Sequence, residues 1–77
     1  MNLDDLKKSA LKKIKEIIDL KNLEALRIKY LGRKGELTQI LRGLKDLSLE
    51  ERRRVGPLAQ AFKKELEEKI EEKYKEL

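Results

Sequence analysis

Apolar positions fall into two long stripes at helical spacing, one at each end of the chain, with a more broken pattern between them. Leu3, Leu6, Ala10, Ile14, Ile17 and Ile18 follow one another mostly at steps of three and four. That is one buried face on an α-helix of about 16–18 residues, placed within 1–20. Asn2 is positioned to cap it, and Asp4 and Asp5 stand in the first turn, where negative charge complements the helix dipole. Leu58, Ala59, Phe62, Leu66, Ile70, Tyr74 and Leu77 make the second stripe, on a helix expected over 48–77. Ser48-Leu49-Glu50-Glu51 precedes it as a capping box, the Ser48 hydroxyl accepting from the Glu51 amide and Glu51 reaching back. Gly56-Pro57 interrupts the pattern, and a proline that lacks a donor and crowds the Arg53 carbonyl predicts a kink or break near 53–57.

The middle, 21–47, is too long for a bare loop and divides into two short helices. Asn22 is placed to cap the first, with Leu23, Leu26 and Tyr30 on one face and Gly32 as its stop. Gly35 or Glu36 starts the second, with Leu37, Ile40, Leu41 and Leu44 inward. Two long amphipathic helices with narrow stripes need each other. The expected fold is therefore all-α: a single domain over 1–77, an antiparallel helical hairpin or coiled coil with the two short helices at its tip. The last residues, Glu71 to Leu77, keep the helical pattern with no stop signal, as expected of a piece of a longer chain.

Composition agrees and narrows the chemistry. Ala, Glu, Lys, Leu and Arg supply 50 of 77 residues, the usage of long helices. There is no Cys, His or Trp, which excludes a thiol nucleophile, a Ser-His-Asp triad, a disulfide framework and an ordinary zinc site. No apolar run has the length of a membrane span and the first residues are not a signal peptide, so the chain reads as soluble and cytoplasmic. No metal site, general acid or activated nucleophile emerges, so no catalytic residue is expected within these 77.

Charge then changes the picture. The net +5 is confined to 27–54, where nine basic residues (Arg27, Lys29, Arg33, Lys34, Arg42, Lys45, Arg52, Arg53, Arg54) face four acidic ones. Flanking segments are nearly balanced, with ion pairs such as Glu65–Lys69 and Glu68–Lys64 expected along the last helix. A local basic excess is an electrostatic footprint for a polyanion. Gly32-Arg33-Lys34-Gly35 sets two adjacent cations at the apex of a helix-to-helix turn, with glycines that tolerate positive φ on either side. Exposed cations and free amides at the start of the next helix attract phosphate. The three arginines 52–54 point three ways at 100° per residue, so at most two serve one surface. Tyr30 and Tyr74 lie on apolar faces and read as core before they read as base-stacking residues.

From Asn22 to Thr38 the chain resembles the amino-terminal region of the bacterial phenylalanyl-tRNA synthetase α-subunit family. The resemblance centres on Tyr30-Leu31-Gly32-Arg33-Lys34-Gly35-Glu36-Leu37-Thr38. Leu47 to Arg52 and Val55-Gly56 are similar too, and the likeness extends over essentially the whole chain. It departs from the family at Arg53, where proline is frequent, and at Pro57, where proline is unusual. The resemblance implies an antiparallel coiled-coil arm touching the outer corner of tRNA. It also implies an (αβ)2 ligase in which this segment joins the rest of the α subunit and the β subunit. A catalytic module using ATP, Mg2+ and phenylalanine lies elsewhere in such an enzyme, so no cofactor is expected here. The expected RNA-binding residues are Lys29, Arg33, Lys34, Arg42 and Lys45, which contact phosphate and sugar. Two other readings compete: a helical protein–protein interaction or dimerisation module with no nucleic-acid role, and binding to an anionic membrane. The second is disfavoured because the cations do not share one helix face.

Overall fold

Each regular element in the computed structural model, which describes residues 3–77, is helical. In order they are α1 (Leu3–Glu16), α2 (Leu20–Leu31), α3 (Glu36–Gly43), a 3-10 turn (Leu44–Asp46) and α4 (Leu49–Glu76). The all-α class is as expected; the cap at Asn2 lies outside the described residues.

Helix α1 ends at Glu16, short of the expected position 20, because Asp19 and not Asn22 caps the next helix. The Asp19 carboxylate accepts from the Asn22 amide at 2.7 Å and from Asn22 Nδ2 at 3.0 Å. Both residues are good caps, but Asp19 gains two donors from Asn22 and lets α2 begin at Leu20, a turn earlier. Ile18 consequently sits in the connection at 82% exposure, outside the core it was assigned to.

This early break sets the direction of every helix. A three-residue connection makes α1 and α2 antiparallel neighbours. Glu24 near the start of α2 bonds Tyr74 near the end of α4, while Leu31 at the end of α2 lies beside Lys63, so α2 and α4 are antiparallel. Lys7 meets Glu65 at 3.0 Å and Lys15 lies along Glu72 and Glu76, so α1 runs in the same sense as α4. The antiparallel hairpin is therefore α2 with α4, and α1 completes a three-helix bundle. At 12 residues α2 is a full member of that bundle and not part of a tip. Only α3 and the 3-10 turn form the end of the molecule, which measures 42 × 19 × 18 Å.

The core is the set of stripes brought together: Ala10 and Ile14 from α1, Leu23, Leu26 and Tyr30 from α2, Leu37 from α3, and Phe62, Leu66 and Ile70 from α4. Tyr30 and Phe62 are the largest, each 1% exposed. Burying such side chains contributes about 1.5–3 kcal/mol apiece. Leu58, Tyr74 and Leu77 of the expected α4 stripe are instead exposed or nearly so.

Helix α4 runs unbroken for 28 residues through Gly56-Pro57, so of the kink or break expected near 53–57 there is no break. Its two halves are held separately. Ser48 Oγ accepts from the Glu51 amide at 3.2 Å, although the Glu51 carboxylate does not reach back. Downstream, Ala59, Phe62 and Leu66 dock into the core. Pro57 and Arg53 are both exposed, so the carbonyl deprived of its donor is left to water.

Candidate nucleic-acid interface

The charged side chains of the molecule divide by location. At the bundle end four lysines pair, Lys7 with Glu65, Lys63 with Glu67 at 3.9 Å, Lys69 with Glu72 at 3.7 Å and Lys73 with Glu76 at 3.5 Å, while others, Lys12, Lys64 and Lys75 among them, form no ion pair within the described residues. These pairs replace the expected Glu65–Lys69 and Glu68–Lys64 pairs, since Glu65 reaches across to α1. Arg27, counted with the basic surplus, is engaged by Glu24, which also accepts from the Tyr74 hydroxyl. The Arg27 guanidinium and the Tyr74 hydroxyl hold the Glu24 carboxyl down to about 2.

Beyond Arg27 the pattern stops. Among the described residues, no cation from Lys29 to Arg54 forms an ion pair. Lys29, Arg33, Lys34, Arg42 and Lys45 are all exposed. Arg33 and Lys34 occupy the middle of a turn closed by the Gly35 amide donating to the Gly32 carbonyl at 2.9 Å. Both glycines have φ of −65°, so the expected positive φ is not what demands them. Space is. A Cβ on Gly35 would stand 2.6 Å from the Tyr30 carbonyl, and one on Gly32 would stand 2.5 Å from the Ile28 carbonyl. The absence of side chains lets the turn close tightly over the end of α2 and thrusts the two cations outward.

At the start of α3, Glu36 occupies the first turn and Gln39 Nε2 donates back to the Lys34 carbonyl at 2.9 Å. An acidic group already answers the positive end of this helix, so the turn's cations, more than its amides, are left for an anion. Arg42 and Lys45 lie at the far end of α3, about 12 Å along the axis.

The arginine triplet separates as its geometry required. Arg52 turns inward along the chain and donates to the carbonyls of Leu44 at 3.0 Å, Lys45 at 2.9 Å and Leu47 at 3.3 Å. It locks the 3-10 turn onto α4 and has a structural task. Arg53 and Arg54 face solvent beside Leu49 and Glu50.

Lys29 is placed differently from the other four. Its Nζ lies 5.6 Å from the centroid of the Tyr30 ring, and Lys13 Nζ from α1 lies 5.8 Å from the same centroid. Lys13 also donates to the Tyr30 hydroxyl at 3.4 Å. The Lys13 ammonium, within hydrogen-bonding reach and of the same charge, holds Lys29 below the usual lysine range. Lys13 was not singled out from the sequence. It stands 17 positions from Tyr30, and only the α1–α2 crossing joins them.

Among the described residues no group of carboxylates is arranged to hold a metal ion, and no helix is long and apolar enough to cross a membrane.

With a helical bundle and an unpaired basic end in view, comparison with known proteins places the chain in a class. The family model for the class II aminoacyl-tRNA synthetase N-terminal domain matches residues 18–77, and the chain belongs to that family. The similar proteins are phenylalanine–tRNA ligase alpha subunits, matched in their amino-terminal region. That of Clostridium tetani is 48% identical over 75 residues, covering 97% of this chain and 22% of the relative. That of Clostridium acetobutylicum is 51% identical over 70 residues, covering 91% and 21%, and that of Clostridium botulinum is 47% identical over 75 residues, covering 97% and 22%. The chain thus spans about a fifth of the length of these curated relatives. No solved structure matches it.

Proposed function

We propose that this chain is the tRNA-contacting arm of a phenylalanine–tRNA ligase α subunit, and that its basic end grips the RNA backbone. The observation that carries the reading is the segregation of charge. The segments that build the bundle, 1–26 and 55–77, balance their cations with carboxylates in number and hold several in ion pairs, while Lys29, Arg33, Lys34, Arg42 and Lys45 carry positive charge into solvent with no carboxylate partner among the described residues. Unpaired lysines and arginines on a rigid helical end suit phosphate and sugar contacts, which fix position without reading bases. Arg53 and Arg54 extend the same exposed basic end along α4.

On this reading the arm binds and orients tRNA, and the chemistry with ATP, Mg2+ and phenylalanine belongs to the remainder of an (αβ)2 enzyme in the cytoplasm. The arm's three-helix bundle supplies rigidity, so that a contact at the basic end is held at a fixed distance from its attachment to the α and β subunits. The test is the affinity of the chain for tRNA across a salt series, with Arg33→Glu/Lys34→Glu alongside. Binding should weaken linearly in log–log form with added salt, and the variant should bind less tightly at low salt. Equal affinity of the two proteins at low salt removes the turn from the account.

The competing reading, a helix-docking or dimerisation module, draws on Leu49 and Leu58, which are 59% and 57% exposed on α4. Sedimentation separates the two: a stable dimer insensitive to salt favours the module.

A further inference from the structure

Two ammonium groups that meet over one buried aromatic ring are an unusual use of charge in a chain with 15 carboxylates. Lys13 and Lys29 come from different helices and converge on Tyr30. The ring cannot move away, since it is 1% exposed and wedged into the core. It attracts both cations through its π face, and Lys13 also through its hydroxyl oxygen, and so holds them near each other against their mutual repulsion. Two carboxylates lie in the vicinity. Glu16 lines the same groove between α1 and α2, and Glu36 acts on both lysines at longer range, but neither forms an ion pair with them. The rest of the groove wall is largely apolar, made by Ile17, Ile18, Ala25 and Leu26, with Ile18 almost wholly exposed.

An anion between the two ammonium groups would convert their repulsion into two charge-assisted hydrogen bonds. An apolar wall beside that position suits the flat, weakly polar face of a sugar or base. We infer that the Lys13–Lys29–Tyr30 notch is a second RNA contact, taking one backbone phosphodiester between the two lysines with its nucleoside lying along Ile17 and Ile18. The inference rests on the proposed tRNA-binding role and extends it. It brings α1 into the interface and separates Lys29 from the group at the turn, as a partner of Lys13. The contact between the two lysines holds Lys29 below the usual lysine range and Lys13, with help from the Tyr30 hydroxyl, above it, and a phosphate between them would favour the charged form of both.

The experiment follows the lysine and arginine side-chain and tyrosine-ring NMR signals of the whole chain during titration with tRNA, and separately with inorganic phosphate. The expected result is that tRNA shifts Lys13, Lys29 and the Tyr30 ring over the same concentration range that perturbs Arg33 and Lys34. Inorganic phosphate at matched phosphate concentration should move them far less. If tRNA perturbs Arg33 and Lys34 but leaves Lys13 and Lys29 unchanged, the notch is refuted and the basic turn stands. If the notch responds and the turn does not, the notch stands and the turn's role fails. No response at either place ends both. Equal response to inorganic phosphate reduces the notch to a general anion site and overturns the RNA assignment. As a functional counterpart, Lys13→Ala should weaken tRNA binding about threefold or more and lower the salt slope by close to 1, whereas Lys12→Ala, with the same loss of charge on the same helix, should not. Equal effects of the two substitutions contradict a defined site.

Discussion

The two ends of α4 use the same residue types to opposite purpose. From Ala59 onward the helix faces α1 and α2, buries Phe62, Leu66 and Ile70, and answers Lys63, Lys69 and Lys73 with glutamates. Before Pro57 it carries Arg52, Arg53 and Arg54 beside α3 and the 3-10 turn, where the described residues form no ion pair. Surface pairs add little stability individually, so the paired end is not held together by charge. What pairing does is neutralise that surface, and its absence leaves the other end with a field. The difference sets the packed core and the exposed cations proposed to bind RNA in separate halves of a short helical chain.

Several substitutions probe that division, starting with the most disruptive. Gly35→Ala should destabilise the fold by about 1–3 kcal/mol, because the new Cβ meets the Tyr30 backbone and the turn must open. Chemical denaturation measures it, and an unchanged midpoint would show that the turn is not packed as described. Next, the arginine triplet should split. Arg52→Ala should cost about 1 kcal/mol of stability through loss of its carbonyl bonds. Arg53→Ala should change stability by less than about 0.5 kcal/mol and show its effect in tRNA affinity instead. Equal stability losses at the two positions would erase the distinction between the structural and the exposed arginine.

A smaller effect belongs to the bundle end and depends on pH. Glu24 titrates near 2 in the folded chain against an ordinary 4.5, so the unfolded state binds its proton first as pH falls. Its contribution to stability is therefore complete above pH 4.5 and is lost between 4.5 and about 2. Glu24→Gln should melt lower than the parent chain at neutral pH and converge with it near pH 2. A constant difference in melting temperature across that window would deny the Arg27 and Tyr74 contacts any role in folding.

Much of this arrangement could be read from periodicity. Among the described residues all ten buried ones, from Ala10 to Ile70, stand in the stripes, because spacing of three and four reports a buried helix face whatever it packs against. The ends of the stripes misled. Ile18, Leu58 and Leu77 continue the pattern in sequence but lie where no neighbouring helix covers them. Helix direction was hidden for a related reason. Asp19 and Asn22 are equally good caps by type, and choosing Asn22 lengthens α1, turns α2 into a tip and pairs α1 with α4 in the wrong sense. The glycines of the turn were recognised, but for φ instead of for the closeness of the Tyr30 and Ile28 backbones, which only coordinates reveal. For the basic end, the sequence located the surplus at 27–54 but could not show that Arg27 is consumed by Glu24, that Arg52 is spent on carbonyls, or that Lys13 joins Lys29.

The central claim is that location, not total charge, makes this chain bind RNA. It is tested most directly by comparing tRNA affinity of two double reversals with identical net charge, Arg33→Glu/Lys34→Glu at the basic end and Lys63→Glu/Lys69→Glu at the paired end. The account predicts a loss of about tenfold or more, with a shallower salt dependence, for the first, and a change within about threefold for the second. Equal losses would mean that any cation serves, and would contradict it.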